Sequence, residues 1–305
     1  MRNVSEHTLQ LNLWISLCQV DPQFPGNLRR AGYVVDIIDP DFIHDGEPVN
    51  PDIILTSSSR NHSVVVDCKS WILKEHQNER YENLVDSPGV LTSQGIVTGV
   101  SPEPFDIDFG YSSYNDLTEN EHLPDNNFAV VHFDDGSVLV VDTVDGRDFD
   151  ESSLSDCFPI ELGEDDRIPT DYYPFDPGIS GDEEQMIISV LQETVHLALG
   201  KQSFTADEIL NAAHPFWVDW DDDKRQEARS RVESIVNEYS KQGLNEHIEK
   251  VQRSDPPEWR VVSKSLQALQ RKASDFIEET KTILEQRRLE EFDEDDTEGS
   301  DDDSD

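Results

Sequence analysis

Pro51-Asp52-Ile53-Ile54-Leu55-Thr56 and Val64-Val65-Val66-Asp67-Cys68-Lys69 are two apolar runs that each carry a carboxylate at one end. Both are rich in β-branched residues, which suit a pleated, half-buried surface. Between them, Ser57-Ser58-Ser59-Arg60-Asn61-His62 is a polar loop of hairpin character. Side chains two apart on a strand project from one face, so Asp67 and Lys69 stand together with Val65. A hairpin folded symmetrically about Ser59-Arg60 sets Ile54 opposite Val65 and Asp52 opposite Asp67. Directly opposed side chains have Cβ atoms roughly 4.5–5.5 Å apart, and like charges there repel. A register shifted by two sets Asp52 opposite Lys69 and still keeps all three on one face.

Two facing carboxylates at the end of apolar strands need a counterion. A hard divalent cation, Mg²⁺ (or Mn²⁺), supplies it through oxygen ligands. Such an ion polarises a phosphate and generates hydroxide from water. Lys69 beside it orients the water or stabilises charge growing on the phosphorane. These residues point to metal-assisted hydrolysis of a phosphodiester. The plainer alternative has Asp52 capping a strand and Asp67–Lys69 forming an edge-strand ion pair.

At these positions the sequence resembles the PD-(D/E)XK nuclease superfamily. Pro51-Asp52 matches the first half of its motif and Asp67-Cys68-Lys69 the second. The resemblance implies an α/β (α+β) restriction-endonuclease-like core, a mixed sheet flanked by helices. It implies metal binding by Asp52 and Asp67, catalysis by Lys69 with them, and DNA as substrate. Many members carry a further acid on the first helix, and here Glu6 is the only candidate. The non-enzymatic alternative is a DNA-binding or regulatory protein that keeps the fold without catalysis.

Outward from the hairpin, Leu9, Leu13, Leu17 and Val20 recur at helical spacing and predict a helix over 8–20. Tyr33 to Ile38 reads as a strand, and 74–86 as a charged helix. Residues 87–127 read as loop. Phe128–Phe133 and Val138–Val144 flank Asp134-Asp135-Gly136-Ser137, a hairpin signal. The acidic, proline-containing passage from Asp145 to Asp182 reads as a linker. The expected division is a nuclease-like domain over 1–150, a linker over 151–181, a mainly α winged-helix domain over 182–290, and a disordered acidic tail over 291–305.

The second half shows an amphipathic helix ending at Gly200, and a capping box, Thr205-Ala206-Asp207-Glu208, opening another through Ala213. A third helix over 222–242, strands at 246–251 and 259–262, and a long helix from Ser263 complete the element order of a winged helix-turn-helix. The third helix would then read DNA. Lys224, Arg225, Arg229 and Arg231, with Lys250, Arg253 and Arg260 near the wing, are its candidate DNA contacts. With Lys241, they place eight of the 24 bases in 37 residues. The alternative pairs these bases with neighbouring acids. Trp217 and Trp220 read as packing residues. Leu266, Leu269, Ala273, Phe276, Thr280 and Ile283 form a seam that either folds back on this domain or pairs two chains as a homodimer through 263–290.

The chain has 305 residues, 66 acids, 24 bases and a net charge of −42. Residues 290–305 hold eleven acids and no base, so the rest of the surface is acidic as well. Such self-repulsion is screened at molar salt, where the Debye length is about 3 Å. The composition is that of a halophilic protein in a salt-filled cytoplasm, as in halophilic archaea or their viruses and plasmids; a binder of basic partners is the rival. Overall charge therefore does not exclude DNA. There is no apolar stretch of membrane-spanning length and no secretory leader, so a cytoplasmic location is expected. Cys18, Cys68 and Cys157 are too widely spaced for a zinc site and read as free thiols.

Overall fold

The hairpin of residues 53–69 lies inside a seven-stranded mixed sheet in the computed structural model. The structure describes residues 4–295 except 21–23, 71–72, 103, 116, 118–119, 121–122, 124–127, 136–138, 145–146, 162–166, 240, 242–243, 253 and 264. These form two units: Met1–Asp176 with His214–Arg225, and Pro177–Ala213 with Gln226–Asp305.

In chain order the first unit runs α1 (Glu6–Leu17), α2 (Asn27–Arg30), β1 (Val34–Ile38), β2 (Phe42–His44), β3 (Glu47–Val49), β4 (Ile53–Ser57) and β5 (His62–Lys69). It continues with α3 (Glu75–Asp86), α4 (Gly89–Ser93), β6 (Asp106–Ser113), β7 (Ala129–Asp135), β8 (Leu139–Thr143), α5 (Ser152–Ser155) and β9 (Ile160–Glu161). The sheet order is β1-β4-β5-β6-β7-β8-β9, and β2 pairs with β3 separately. β5, β6 and β7 are parallel neighbours, while every other neighbouring pair in the sheet is antiparallel. The β4–β5 register is the symmetric one, Ile54 facing Val65 and Ser57 facing His62.

Helix α1 is buried along nine of its twelve residues, polar ones included. Buried polar groups must be hydrogen-bonded, and Asn12 shows how. Its Nδ2 donates to the carbonyls of Thr8 at 2.9 Å and Tyr173 at 2.6 Å, and its Oδ1 accepts from the Tyr173 amide at 2.9 Å. The helix starts two residues before the expected boundary, because Ser5 caps it by accepting from the Thr8 amide. Over the sheet, Tyr81 of α3 stacks on Phe109 of β6 with centroids 4.2 Å apart.

Three expectations need correction. The 87–127 passage contains α4 and the central strand β6, whose Ile107, Phe109 and Tyr111 alternate with Asp106, Asp108 and Gly110. The 151–181 passage is no free linker: it supplies α5 and β9, and buries Tyr173 and Phe175. Asp108 holds its start, accepting from the amides of Asp150 and Glu151 at 3.2 and 3.0 Å. The segment 214–225, expected in the second domain, belongs to the first unit, where Trp220 is buried and bridges to Ile38 of β1.

The second unit runs α6 (Glu183–Gly200), β10 (Ser203–Thr205), α7 (Ala206–Ala213), α8 (Asp222–Tyr239, its first turn counted with the first unit), β11 (Ile248–Lys250), β12 (Glu258–Val261) and α9 (Leu266–Asp295). The three strands form a sheet of order β10-β12-β11. The capping box is reciprocal: Thr205 Oγ1 accepts from the Glu208 amide at 3.2 Å, and Glu208 Oε2 from the Thr205 amide at 2.9 Å. Helix α9 packs on α6 and buries Leu269, Phe276, Thr280 and Leu284. The expected seam thus folds back on its own chain, running through Leu284 while Ile283 is 44% exposed; the side chains of Leu266 and Ala273 lie outside the described residues. Residues 291–295, expected disordered, continue α9, and the rest of the tail lies outside the described residues. Among the described residues no helix is long and apolar enough to cross a membrane.

Phe149 lies close over Gly110, so a larger residue there requires the Phe149 ring to give way. A Cβ there would meet Phe149 Cε1 at 3.0 Å. Gly110→Ala is expected to cost about 1–3 kcal/mol through overpacking, measured by urea unfolding at molar KCl. Much of that loss should return in the double variant with Phe149→Leu, whose side chain can move aside.

Candidate functional site

Three chain segments meet at the carboxylate end of the hairpin. Asp52, just before β4, extends the ladder by donating its amide to the Val66 carbonyl at 3.0 Å, and its Oδ2 accepts from the Cys68 amide. Asp39, just after β1, donates its amide to the Asp52 carbonyl at 2.9 Å. Asp67 and Lys69 close β5 on the face shared with Val65, 2.7 Å apart. The three predicted residues, Asp52, Asp67 and Lys69, are therefore brought together.

Helix α1 sets the fourth side. Trp14 Nε1 donates to Ser112 Oγ at 3.0 Å, Ser112 Oγ to Gln10 Oε1 at 2.9 Å, and Gln10 Nε2 to the Lys69 carbonyl at 3.1 Å. These bonds hold one helical face against the ends of β5 and β6. His7, one turn earlier on that face, then lies with Nε2 4.0 Å from Asp52 Oδ1 and 4.0 Å from Asp176 Oδ2. Glu6 is on the helix but exposed; its neighbour His7 is the α1 residue that reaches the carboxylates.

Helix α3 contributes residues that the sequence reading missed. Gln77 donates to Asp67 Oδ2 at 3.0 Å and to the Tyr81 hydroxyl at 3.1 Å, and accepts from Lys69 Nζ at 3.2 Å. Tyr81 donates to the Asn50 carbonyl at 3.2 Å. The signal available was the spacing of four, which places both on one helical face.

Burial makes the two acids a coupled pair. It pushes the Asp67 carboxyl well above the usual carboxylate range, Asp52 adding to the rise and Lys69 opposing it. Burial also raises Asp52, against the hydrogen bond from Asp67, the charge of Lys69 and the Cys68 amide. Without a further cation the pair therefore shares one proton. His7, Asp39 and Asp52 each offer a ligand atom, all within 4.8 Å of one another.

Among the described residues, the bases expected to contact DNA are engaged. Lys224 is not on an exposed recognition face: its ammonium, 12% exposed, pairs with Asp39 and with Asp176 at 2.6 Å, inside the first unit. Arg225 pairs with Asp222 and donates to the Val218 carbonyl at 3.1 Å. In the second unit Arg229 grips Asp207 at 2.6 and 3.2 Å, and Arg231 lies 3.5 Å from Glu183. Lys250 pairs with Glu233, and Arg260 lies 3.8 Å from Glu249 across the strand pair. Arg253 lies outside the described residues. The three cysteines are free and buried.

Because the pair titrates above its unfolded range, the native chain keeps protons that the unfolded chain releases. Stability therefore falls as pH rises out of the ordinary carboxylate range. In EDTA, Asp67→Asn should melt above the wild type at pH 8, with the two converging towards pH 4. Mg²⁺ should raise the wild-type melting temperature more at pH 8 than at pH 5, measured by calorimetry at fixed KCl.

The "Uncharacterized protein MJECL32" of Methanocaldococcus jannaschii is 26% identical over 211 residues, 64% of this chain and 47% of that protein. The chain therefore spans about half the length of this curated relative. Residues 179–292 match a model described as "Domain of unknown function (DUF8601)". No solved structure matches. Residues 6–173, from the first helix through the buried Tyr173 and including His7, Asp52, Asp67, Lys69 and Gln77, match the MJECL32 domain model, and the chain belongs to that family.

Proposed function

We propose that the first unit is a divalent-metal-dependent phosphodiesterase of PD-(D/E)XK type, acting on nucleic acid. The observation that carries this reading is the hydrogen-bonded Asp52–Asp67 carboxyl pair with Lys69 at 2.7 Å and His7 at 4.0 Å. A buried like-charge pair is costly unless a cation joins it. The donor set, carboxylate oxygens with one imidazole, suits Mg²⁺ or Mn²⁺. Charge counting agrees: Asp39, Asp52, Asp67 and Asp176, when ionised, exceed Lys69 and Lys224 by the charge of one divalent cation.

His7, Asp52 and Asp67 would hold the ion, which when bound supplies Lewis acidity to a phosphate and lowers the pKa of water. Lys69, fixed between Asp67 and Gln77, presents its ammonium where negative charge grows on the attacked phosphate. Gln77 and Tyr81 keep Asp67 and Lys69 aligned through the bonds that tie α3 to residue 50. Beside them lies a pocket of about 380 Å³ lined in part by Asn50, Lys74, His76 and Arg80. Lys74 in that pocket offers a cation to the phosphate backbone of a substrate strand, while Arg80 already lies 3.5 Å from Glu47 and donates to the Pro48 carbonyl.

The second unit has the element order of a winged helix, α6-β10-α7-α8-β11-β12-α9. In this reading it helps dock DNA, and the acidic surface confines that contact to strongly screened conditions. Arg229, Arg231, Lys250 and Arg260 are already paired with acids, so the docking contribution is the lesser part of the proposal.

Cleavage of linear and supercoiled DNA at high KCl tests the reading. Mg²⁺- or Mn²⁺-dependent cutting that falls by at least about 10²-fold in Lys69→Ala and in Asp67→Ala is the expected result. A folded wild type that cuts neither DNA nor RNA with either ion contradicts it.

A further inference from the structure

Lys224 reaches this site from far along the chain, outside residues 6–173 and within the stretch 179–292. Its ammonium lies between Asp39 and Asp176, and Asp176 also accepts from the Tyr173 hydroxyl at 3.0 Å. The faces of Tyr173 and Trp220 flank it at 5.8 and 5.6 Å, within cation–π range. The bridge between Trp220 and Ile38 holds this segment to the edge of the sheet, one residue before Asp39. His7 connects the two groups of acids, lying 4.0 Å from both Asp52 and Asp176.

The site therefore contains two carboxylate pairs sharing one imidazole. Asp52–Asp67 is the pair without a full complement of charge. Asp39–Asp176 already has a resident cation. Neither acid of that pair can turn fully to a divalent ion while an ammonium is held between them by two carboxylates and two aromatic faces. Without that ammonium, His7, Asp39 and Asp176 would present an imidazole and two carboxylates to solvent ions, and Asp39 is already within 4.8 Å of ligand atoms on His7 and Asp52.

We infer that Lys224 takes the place of a second divalent cation and so limits the site to one ion. This rests on the reading of Asp52 and Asp67 as a metal site. It assigns Lys224 as a positioning residue that acts through Asp39 and Asp176, supplied by a segment beyond the 6–173 domain.

The test is Mn²⁺ binding to the full chain at molar KCl, counted by calorimetric titration and by electron paramagnetic resonance. The wild type should bind one Mn²⁺. Lys224→Met, which keeps the aliphatic stem against Tyr173 and Trp220, should bind two. Lys224→Arg should return the count to one. If Lys224→Met is unfolded in EDTA, recovery of its native circular dichroism on adding Mn²⁺ is the supporting result, and failure to recover overturns the inference. One ion in a folded Lys224→Met, or two in the wild type, also overturns it while leaving the Asp52–Asp67 reading standing. No ion in the wild type removes that reading, and this inference with it.

Discussion

Two carboxyl groups hydrogen-bonded to each other at the buried end of a hairpin cannot both ionise without a cation beside them. Asp52 and Asp67 are such a pair, and the surroundings are arranged to hold them in place. The backbone ladder of β4 and β5 fixes their separation, the Cys68 amide orients Asp52, and Lys69 with Gln77 orients Asp67. None of these partners relieves the pair fully, since burial still raises both carboxyls. Evolution could have placed a leucine at either position at lower cost. A partly compensated charge pair at a buried position carries a cost, and that cost is the ground on which a use is proposed.

The rest of the first unit can be read as scaffolding for that pair. The buried α1 is unusual, with Gln10, Asn12 and Ser16 out of solvent, yet each finds a partner: Gln10 bonds to the Lys69 carbonyl, Asn12 to Tyr173, Ser16 to the Asn12 carbonyl. Such a network is worth its polar groups only when complete. Its effect is to fix the helix in rotation and height, so that His7 arrives at Asp52. The 173–176 segment that completes the network also delivers Asp176, and 214–225 delivers Lys224. Packing and chemistry are thus carried by the same residues.

The hairpin could be read from sequence because its runs are β-branched and its loop polar, but two registers stayed open until the structure showed the symmetric one. Asp52, Asp67 and Lys69 came with it. Strand β6 was hidden by its own acids: Asp106 and Asp108 look like loop residues until Asp108 is seen receiving two backbone amides. The 151–176 passage carries the acids of a linker but buries Tyr173 and Phe175, and its role depends on contacts that no local pattern records. His7 gave no signal, being a single histidine at the start of a helix whose rotation depends on Ser112. Lys224 looked like one of a cluster of surface bases, and only tertiary structure separates it from Arg229 and Arg231. The capping box at Thr205 is the opposite case, a local feature that the sequence states openly; the periodic seam of α9 was legible too, though only the structure shows it packed on α6.

The central claim is that the Asp52–Asp67 pair exists to hold a divalent cation. Anomalous diffraction from crystals grown at molar KCl with Mn²⁺ tests it most directly. The account predicts a manganese peak in contact with Asp52, Asp67 and His7, with the hydrogen bond between the two carboxyl groups broken. Saturating Mn²⁺ with no peak there, and that hydrogen bond intact, would contradict it.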